Sequence, residues 1–252
     1  MRARFVFAVA AMLTVPVMAQ AGEIKLLASA ALKAAYLELL PQFEAATGHK
    51  VSTAWSSSLV IQKRIASGED ADVVVMADIL GKSLTDELIK QGKLVAGSPA
   101  TFAKSGVGVA VRAGAPKPDI SSAEALKKSI AAAKSIAYSA GASGTYLASM
   151  LVKLGIYDQV KSKVATVKPS EPVGEVVARG DAEIGFHQVS ELLPVKGIEF
   201  LGPLPADLQN ITVYSGGVHT GTKEGAAAGE LVKFLTAPTF APTLKRHGLE
   251  PG

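Results

Sequence analysis

Ile24-Lys25-Leu26-Leu27-Ala28-Ser29-Ala30-Ala31-Leu32-Lys33-Ala34-Ala35-Tyr36-Leu37-Glu38-Leu39-Leu40 is the stretch on which the fold turns. Ile24 to Ala28 is a short apolar run of strand length. After a junction of small residues, Leu32, Ala35, Tyr36, Leu39, Leu40 and Phe43 recur at helical spacing until Gly48 ends the pattern. A buried strand therefore feeds an amphipathic helix, the opening of an α/β unit.

The same alternation continues outward. Val51, Thr53 and Trp55 alternate as a strand, a helix carries Leu59 and Ile65 to Gly68, and Asp72 to Ala77 reads as a third strand. Further strands are expected at Gly106 to Val111, Ser135 to Ser139, Lys163 to Val167, Ala182 to Gln188 and Ile211 to Ser215. Helices are expected around Leu147 to Leu154, Val173 to Val177, Ala228 to Leu235 and Phe240 to Arg246. Ser121 with Glu124 reads as a capping box for a helix after the turn Gly114-Ala115-Pro116-Lys117-Pro118. Alternation of this kind predicts an α/β fold of two lobes, each a mostly parallel sheet flanked by helices, with ligands at the carboxyl ends of the strands. The first lobe is expected over residues 22–104, the second over 105–210, with 211–252 returning to the first.

Four junctions at strand ends are rich in serine, glycine and alanine: Ala28-Ser29-Ala30-Ala31, Trp55-Ser56-Ser57-Ser58, Tyr138-Ser139-Ala140-Gly141-Ala142-Ser143-Gly144, and Pro169-Ser170-Glu171-Pro172-Val173-Gly174. Small side chains let backbone N–H groups approach a ligand, and each following helix presents unpaired donors with the positive end of its dipole. That combination suits an anion gripped between lobes. The simpler reading is that Ser29, Ser57 and Ser139 are N-caps, which Ser favours at a single helix start.

Composition narrows the classes. The chain has 252 residues, 48% apolar and 19% charged, sufficient for one or two compact cores. Met1 to Arg4, the apolar run Phe5 to Val17 and Ala19-Gln20-Ala21 read as a secretory signal cleaved after Ala21, which places the mature protein in the periplasm. An uncleaved anchor is the rival reading, although the run is shorter than the roughly 20 residues that span a bilayer. Removing Arg2 and Arg4 leaves 24 basic against 22 acidic residues, without the basic runs that nucleic acid requires. The absence of Cys excludes disulfides and thiolate metal sites. His49, His187, His219 and His247 lack metal-ligand spacing, and no phosphate loop, dinucleotide fingerprint or nucleophile elbow is present. No metal and no cofactor is implied.

Ile24 to Tyr36, Ser56 to Ser58 ahead of Gln62-Lys63-Arg64-Ile65-Ala66-Ser67-Gly68, Ala71-Asp72-Val73-Val74-Val75 and the terminal Arg246-His247-Gly248-Leu249 resemble periplasmic molybdate-binding proteins. The resemblance implies a two-lobed type II solute-binding fold, a monomer that delivers a small anion to the permease of an ABC transporter. It further implies neutral donors: a serine after the first strand, which falls on Ala31 with Ser29 two residues earlier, and a second-junction serine at Ser57 or Ser58. Amides near Ala142 or Ser143 and at Val173 would join them, and a tyrosine position falls near Gln188. Glu171-Pro172-Val173-Gly174-Glu175 and Ile184-Gly185-Phe186-His187-Gln188-Val189-Ser190-Glu191-Leu192 look like a branch of this superfamily that includes a periplasmic aconitate isomerase.

That branch makes a catalytic reading the alternative. Interconverting trans- and cis-aconitate is an allylic proton shift, which needs a base near the methylene carbon and donors for charge spreading onto a carboxylate. His187 and Glu171 are the candidate bases, each with a structural alternative, a strand-end hydrogen bond for His187 and a helix first-turn charge for Glu171. Lys33, Arg64, Arg112 and Arg179 are the cations available for a carboxylate clamp, or are solvated charges.

Overall fold

The computed structural model describes residues 22–168 and 171–252. The expected signal segment and the junction residues Pro169 and Ser170 lie outside the described residues. β1 (Glu23–Ser29), α1 (Lys33–Thr47), β2 (Lys50–Ser56), α2 (Ser58–Ala66), β3 (Val73–Ala77) and α3 (Leu84–Lys90) form the first βαβαβ half-lobe. β4 (Ala100–Arg112) leads to α4 (Ala123–Ala132), β5 (Ile136–Tyr138), α5 (Ala142–Lys153), α6 (Tyr157–Val160), α7 (Val173–Arg179), β6 (Ile184–Gln188), α8 (Val189–Leu192) and β7 (Ile198–Pro203). β8 (Ile211–Val218), α9 (Gly225–Leu235), α10 (Ala241–Arg246) and β9 (Glu250–Pro251) complete the chain.

The strand order is β2-β1-β3-β8-β4-β6-β5, with β7 and β9 also paired to β4. β4 belongs to two sheets at once. Its first part, Ala100 to Gly106, pairs with β8, and from Val107 onward it pairs with β6. β8 runs back beside it and pairs with β3. Two strands that carry the chain between lobes in opposite senses must be antiparallel. The sheets are consequently mixed, a correction to the mostly parallel expectation: β1 with β2 and β3, and β5 with β6, are parallel, whereas every pair made by β4 or β8 is antiparallel.

Strand alternation sends successive side chains to opposite faces, each covered by helices. In the first sheet Ile24, Leu26 and Ala28 pack against Tyr36, Leu39 and Phe43 of α1 and Leu231 of α9, while Leu27, Val74 and Met76 pack against Ile61, Ile65 and Leu88 on the other side. In the second, Val107, Val109 and Phe186 meet Leu126, Ile130 and Leu147, and Ala137 meets Val173, Val176 and Val177. Each such buried Val, Leu, Ile, Met or Phe side chain stabilises the fold by roughly 1.5–3 kcal/mol before entropy is counted.

Two local expectations need correction. Residues 163–167 do not form a strand: Lys163 ends a 3-10 turn, and beyond it only Val164 makes an isolated bridge to Ile136. β5 is three residues long and already paired to β6, so it offers too short an edge for a ladder. The cap of α4 is Ser122, whose Oγ accepts from the Ala125 N–H at 3.1 Å, and not Ser121, whose own N–H donates to Asp119 Oδ1. Among the described residues, no helix is long and apolar enough to cross a membrane.

Candidate functional site

Ser29 and Ser56 end β1 and β2 as register partners, and both are buried. Ser29 precedes a 3-10 turn over Ala30–Leu32, and Ser57 precedes α2, yet neither hydroxyl caps the turn that follows it. The N-cap explanation therefore does not account for them, whereas it does for Ser83 and Ser122. Ser58 has a structural task instead: its Oγ accepts from the Ala77 N–H at 2.7 Å and ties the start of α2 to the end of β3. Ala31 is buried in the 3-10 turn and brings no side-chain donor.

In the second lobe, Tyr138 pairs with Phe186, so Ser139 follows beside His187. The Gly141 N–H donates to Ser139 Oγ at 3.2 Å, which shapes the turn into α5. Gly144 sits so close to that turn that an added Cβ would stand 1.5 Å from the Ser139 carbonyl oxygen. Glycine is required here for close backbone approach. Gly141 at the N-cap has no side chain to occupy the first N–H groups of α5, those of Ala142, Ser143 and Gly144. Ser143 is buried, and Ala142 packs on the hydrophobic core of the first lobe, which also holds Trp55. The junction after β5 is thus pressed against the first lobe. α8 packs likewise on the 3-10 turn after β1. Val173 is fully buried at the start of α7.

His187 is 5% exposed, with Nε2 facing Glu191 Oε2 at 3.5 Å and Nδ1 buried without a partner. A carboxylate facing Nε2 favours the tautomer protonated there and leaves Nδ1 as an acceptor. The Glu191 charge also lies near Tyr214, whose phenol burial pushes well above its usual range, with that charge adding to the effect. Gln188 turns the other way, into the crossing strands. With the amide oriented so that both its ends are satisfied, its nitrogen donates to the carbonyls of Ser105 and Gly106 at 3.2 Å each and its oxygen accepts from Thr212 Oγ1 at 2.8 Å.

Glu171 is committed elsewhere. Its carboxylate accepts from the Lys168 N–H at 3.1 Å and pairs with Arg179 at 2.9 Å, and these contacts hold it below the usual carboxylate range, the Lys168 N–H most of all. A carboxylate so stabilised is a weak base. Arg179 also meets Asp181, and Arg64 is paired with Glu69. Arg112 and Lys33 are exposed. Glu171, Arg64 and Arg179 are thus engaged in ion pairs and Lys33 and Arg112 are exposed, which leaves the neutral donors and the His187 imidazole as the candidate ligand groups. Among the described residues, no cluster of His, Asp and Glu could hold a metal ion.

Sequence reasoning passed over Glu191, which lies on α8 four residues after the strand residue His187, and Tyr36, whose helical spacing marked it as core alone. Tyr36 Oη, like His187 Nδ1 and Ser190 Oγ, is buried without a hydrogen-bond partner. A groove of about 550 Å³ lies beside the crossing strands, lined by Gly106, Gln209 and Ile211 and by Lys245 and Leu249, and contains none of the expected ligand residues.

A family model described as bacterial extracellular solute-binding protein matches residues 24–250. An aconitate isomerase of Pseudomonas sp. is 38% identical over 89% of this chain and 86% of its own length. The molybdate-binding protein ModA of Azotobacter vinelandii is 30% identical over 91% of this chain and 90% of its own length. The solved structure of the Azotobacter vinelandii periplasmic molybdate-binding protein superposes with a TM-score of 0.74 at 22% identity, covering 91% of this chain and 99% of that one. The substrate-binding domain of a putative molybdenum ABC transporter from Clostridium difficile gives 0.69 at 20% identity, over 92% and 100%.

Proposed function

The chain belongs to the bacterial extracellular solute-binding proteins, and from that premise we propose that its cleft takes a small organic carboxylate, with aconitate the first ligand to test. The donor set carries the reading. Of the five donor positions that likeness to the molybdate binders implies, one holds Ala31, without a side-chain donor, and another holds Gln188, whose amide is spent on Ser105, Gly106 and Thr212. A tetrahedral oxyanion caged by neutral donors loses two contacts. A carboxylate needs fewer donors at each end, and Ser29, Ser57 and the α5 amides supply them. The 38% identity to an aconitate isomerase, against 30% to a molybdate binder, supports the same choice. In this reading the protein is exported by its N-terminal segment, acts in the periplasm as a monomer and, as a binder, hands its ligand to an ABC permease.

A second reading, catalysis in that cleft, is favoured by His187. An imidazole held by Glu191 with a free Nδ1 is suited to take the methylene proton of aconitate. The electron pair left behind spreads over the allylic carbons and the adjoining carboxylate. Return of the proton to the former vinyl carbon completes the shift with no other reactant. Glu171 does not suit this task.

A thermal-shift panel of molybdate, tungstate, sulfate, citrate and both aconitates tests the proposal, because a ligand bound only by the folded state raises the melting temperature. The expected result is a shift with an aconitate. A shift confined to molybdate and tungstate would overturn it. Ultraviolet absorbance of trans-aconitate incubated with the protein then separates binding from isomerisation.

A further inference from the structure

Tyr36 lies in the first turn of α1, wholly removed from solvent, and its hydroxyl has no hydrogen-bond partner. Packing alone does not explain a phenol there, since phenylalanine would fill the same volume without stranding a polar atom. The direction of the side chain does explain it. α1 runs back from the carboxyl end of β1, so its N-terminus stands at the strand ends, and helical side chains lean toward the N-terminus of their helix. The Tyr36 ring meets Trp55, the residue before Ser56, edge to face at a centroid separation of 6.2 Å. The cluster that contains Tyr36 and Trp55 is the one on which Ala142 of the second lobe closes.

We propose that Tyr36 is a ligand-binding residue of the cleft, its buried hydroxyl donating to an anionic oxygen, of carboxylate type, brought in by the ligand. The inference rests on the cleft reading above and adds to it a donor on the floor of the first lobe. Burial pushes the phenol well above its usual range, so the group stays protonated and keeps its proton to donate, most strongly to a charged carboxylate oxygen.

The test compares wild type with Tyr36→Phe in two measurements: the melting temperature without ligand, and calorimetric titration with trans-aconitate, cis-aconitate and molybdate. The expected result is an unchanged or raised melting temperature and a roughly tenfold or greater loss of affinity for the ligand that wild type binds. Equal affinity in the two proteins would overturn the role of Tyr36 while leaving the cleft reading intact. A melting temperature lowered by several degrees would show that the hydroxyl has a structural partner, which also overturns it. Failure of wild type to bind any of the three would remove the cleft reading, and this inference with it.

Discussion

His187 Nε2, at the end of β6, faces the Glu191 carboxylate of α8 at 3.5 Å, and the same imidazole keeps its Nδ1 buried without a partner. If the cleft moves a proton, these two residues divide the labour, His187 touching substrate and Glu191 fixing the tautomer. His187→Ala is expected to abolish interconversion of the aconitates while leaving their binding within a few fold. Glu191→Gln is expected to lower kcat by about 100-fold with little change in KM, at the low end of the range typical of general acid–base effects. Steady-state kinetics by ultraviolet absorbance checks both. An unchanged kcat in His187→Ala would remove the imidazole from the mechanism.

Gln188 joins the end of β6 to both crossing strands through Ser105, Gly106 and Thr212. Gln188→Ala deletes three buried hydrogen bonds and strands their partners, at a cost of about 2–4 kcal/mol. In a protein of this size that corresponds to a fall in melting temperature of roughly 5–12 °C. Calorimetry checks it. A loss of affinity without loss of stability would place the amide on the ligand instead.

Gly144→Ala would set a Cβ against the Ser139 carbonyl oxygen, and backbone cannot yield as a flexible side chain can. The expected cost is about 3 kcal/mol, with displacement of the turn that presents the α5 amides and a matching loss of ligand affinity. Gly229, inside α9 with open space where its Cβ would be, is the control. Gly229→Ala is expected to stabilise by about 0.5–1 kcal/mol. Urea denaturation of both variants reads the two signs.

How much of this was legible beforehand differs between fold and site. The helical spacing from Leu32 to Phe43 and the alternation in β2 are local patterns, and each corresponds to an element of the structure. The mixed pairing is not local, because it depends on which strands carry the chain between lobes. The first half of β4, Ala100 to Ser105, went unread for a related reason: flanked by β8 and β9 at the crossing, it shows no clean period of two in burial. The serine junctions could be found from residue type alone. Which hydroxyls are free could not, since Ser58 is committed to Ala77 across sequence distance and Ser29 is not a cap. Gln188, expected near the ligand, is committed to the crossing strands once its neighbours are known.

His219 gives the protein a pH dependence remote from the cleft. Burial and the charge of Lys93 hold its imidazole below the ordinary value of 6.5, against the opposing pull of Asp70 and Asp72. The unfolded chain therefore binds the proton more readily. The stabilisation is fully present above pH 6.5 and is lost as the pH falls through 6.5 toward the lower folded value. Urea unfolding at about pH 7.5 and 5.5 is expected to show a decline on acidification that His219→Gln reduces. An equal decline in the variant would assign it to other groups.

The central claim is that uncapped serines at the ends of β1 and β2 hold a small carboxylate anion between the lobes. Isothermal titration of wild type and of the double variant Ser29→Ala, Ser57→Ala with trans-aconitate tests it most directly. The account predicts saturable one-to-one binding by wild type, a loss of roughly tenfold or more in the variant, and no change in ligand-free stability, since neither hydroxyl caps its turn. Binding undiminished in the variant, or a ligand-free stability lowered by the 1 kcal/mol or so that a lost cap costs, would contradict it.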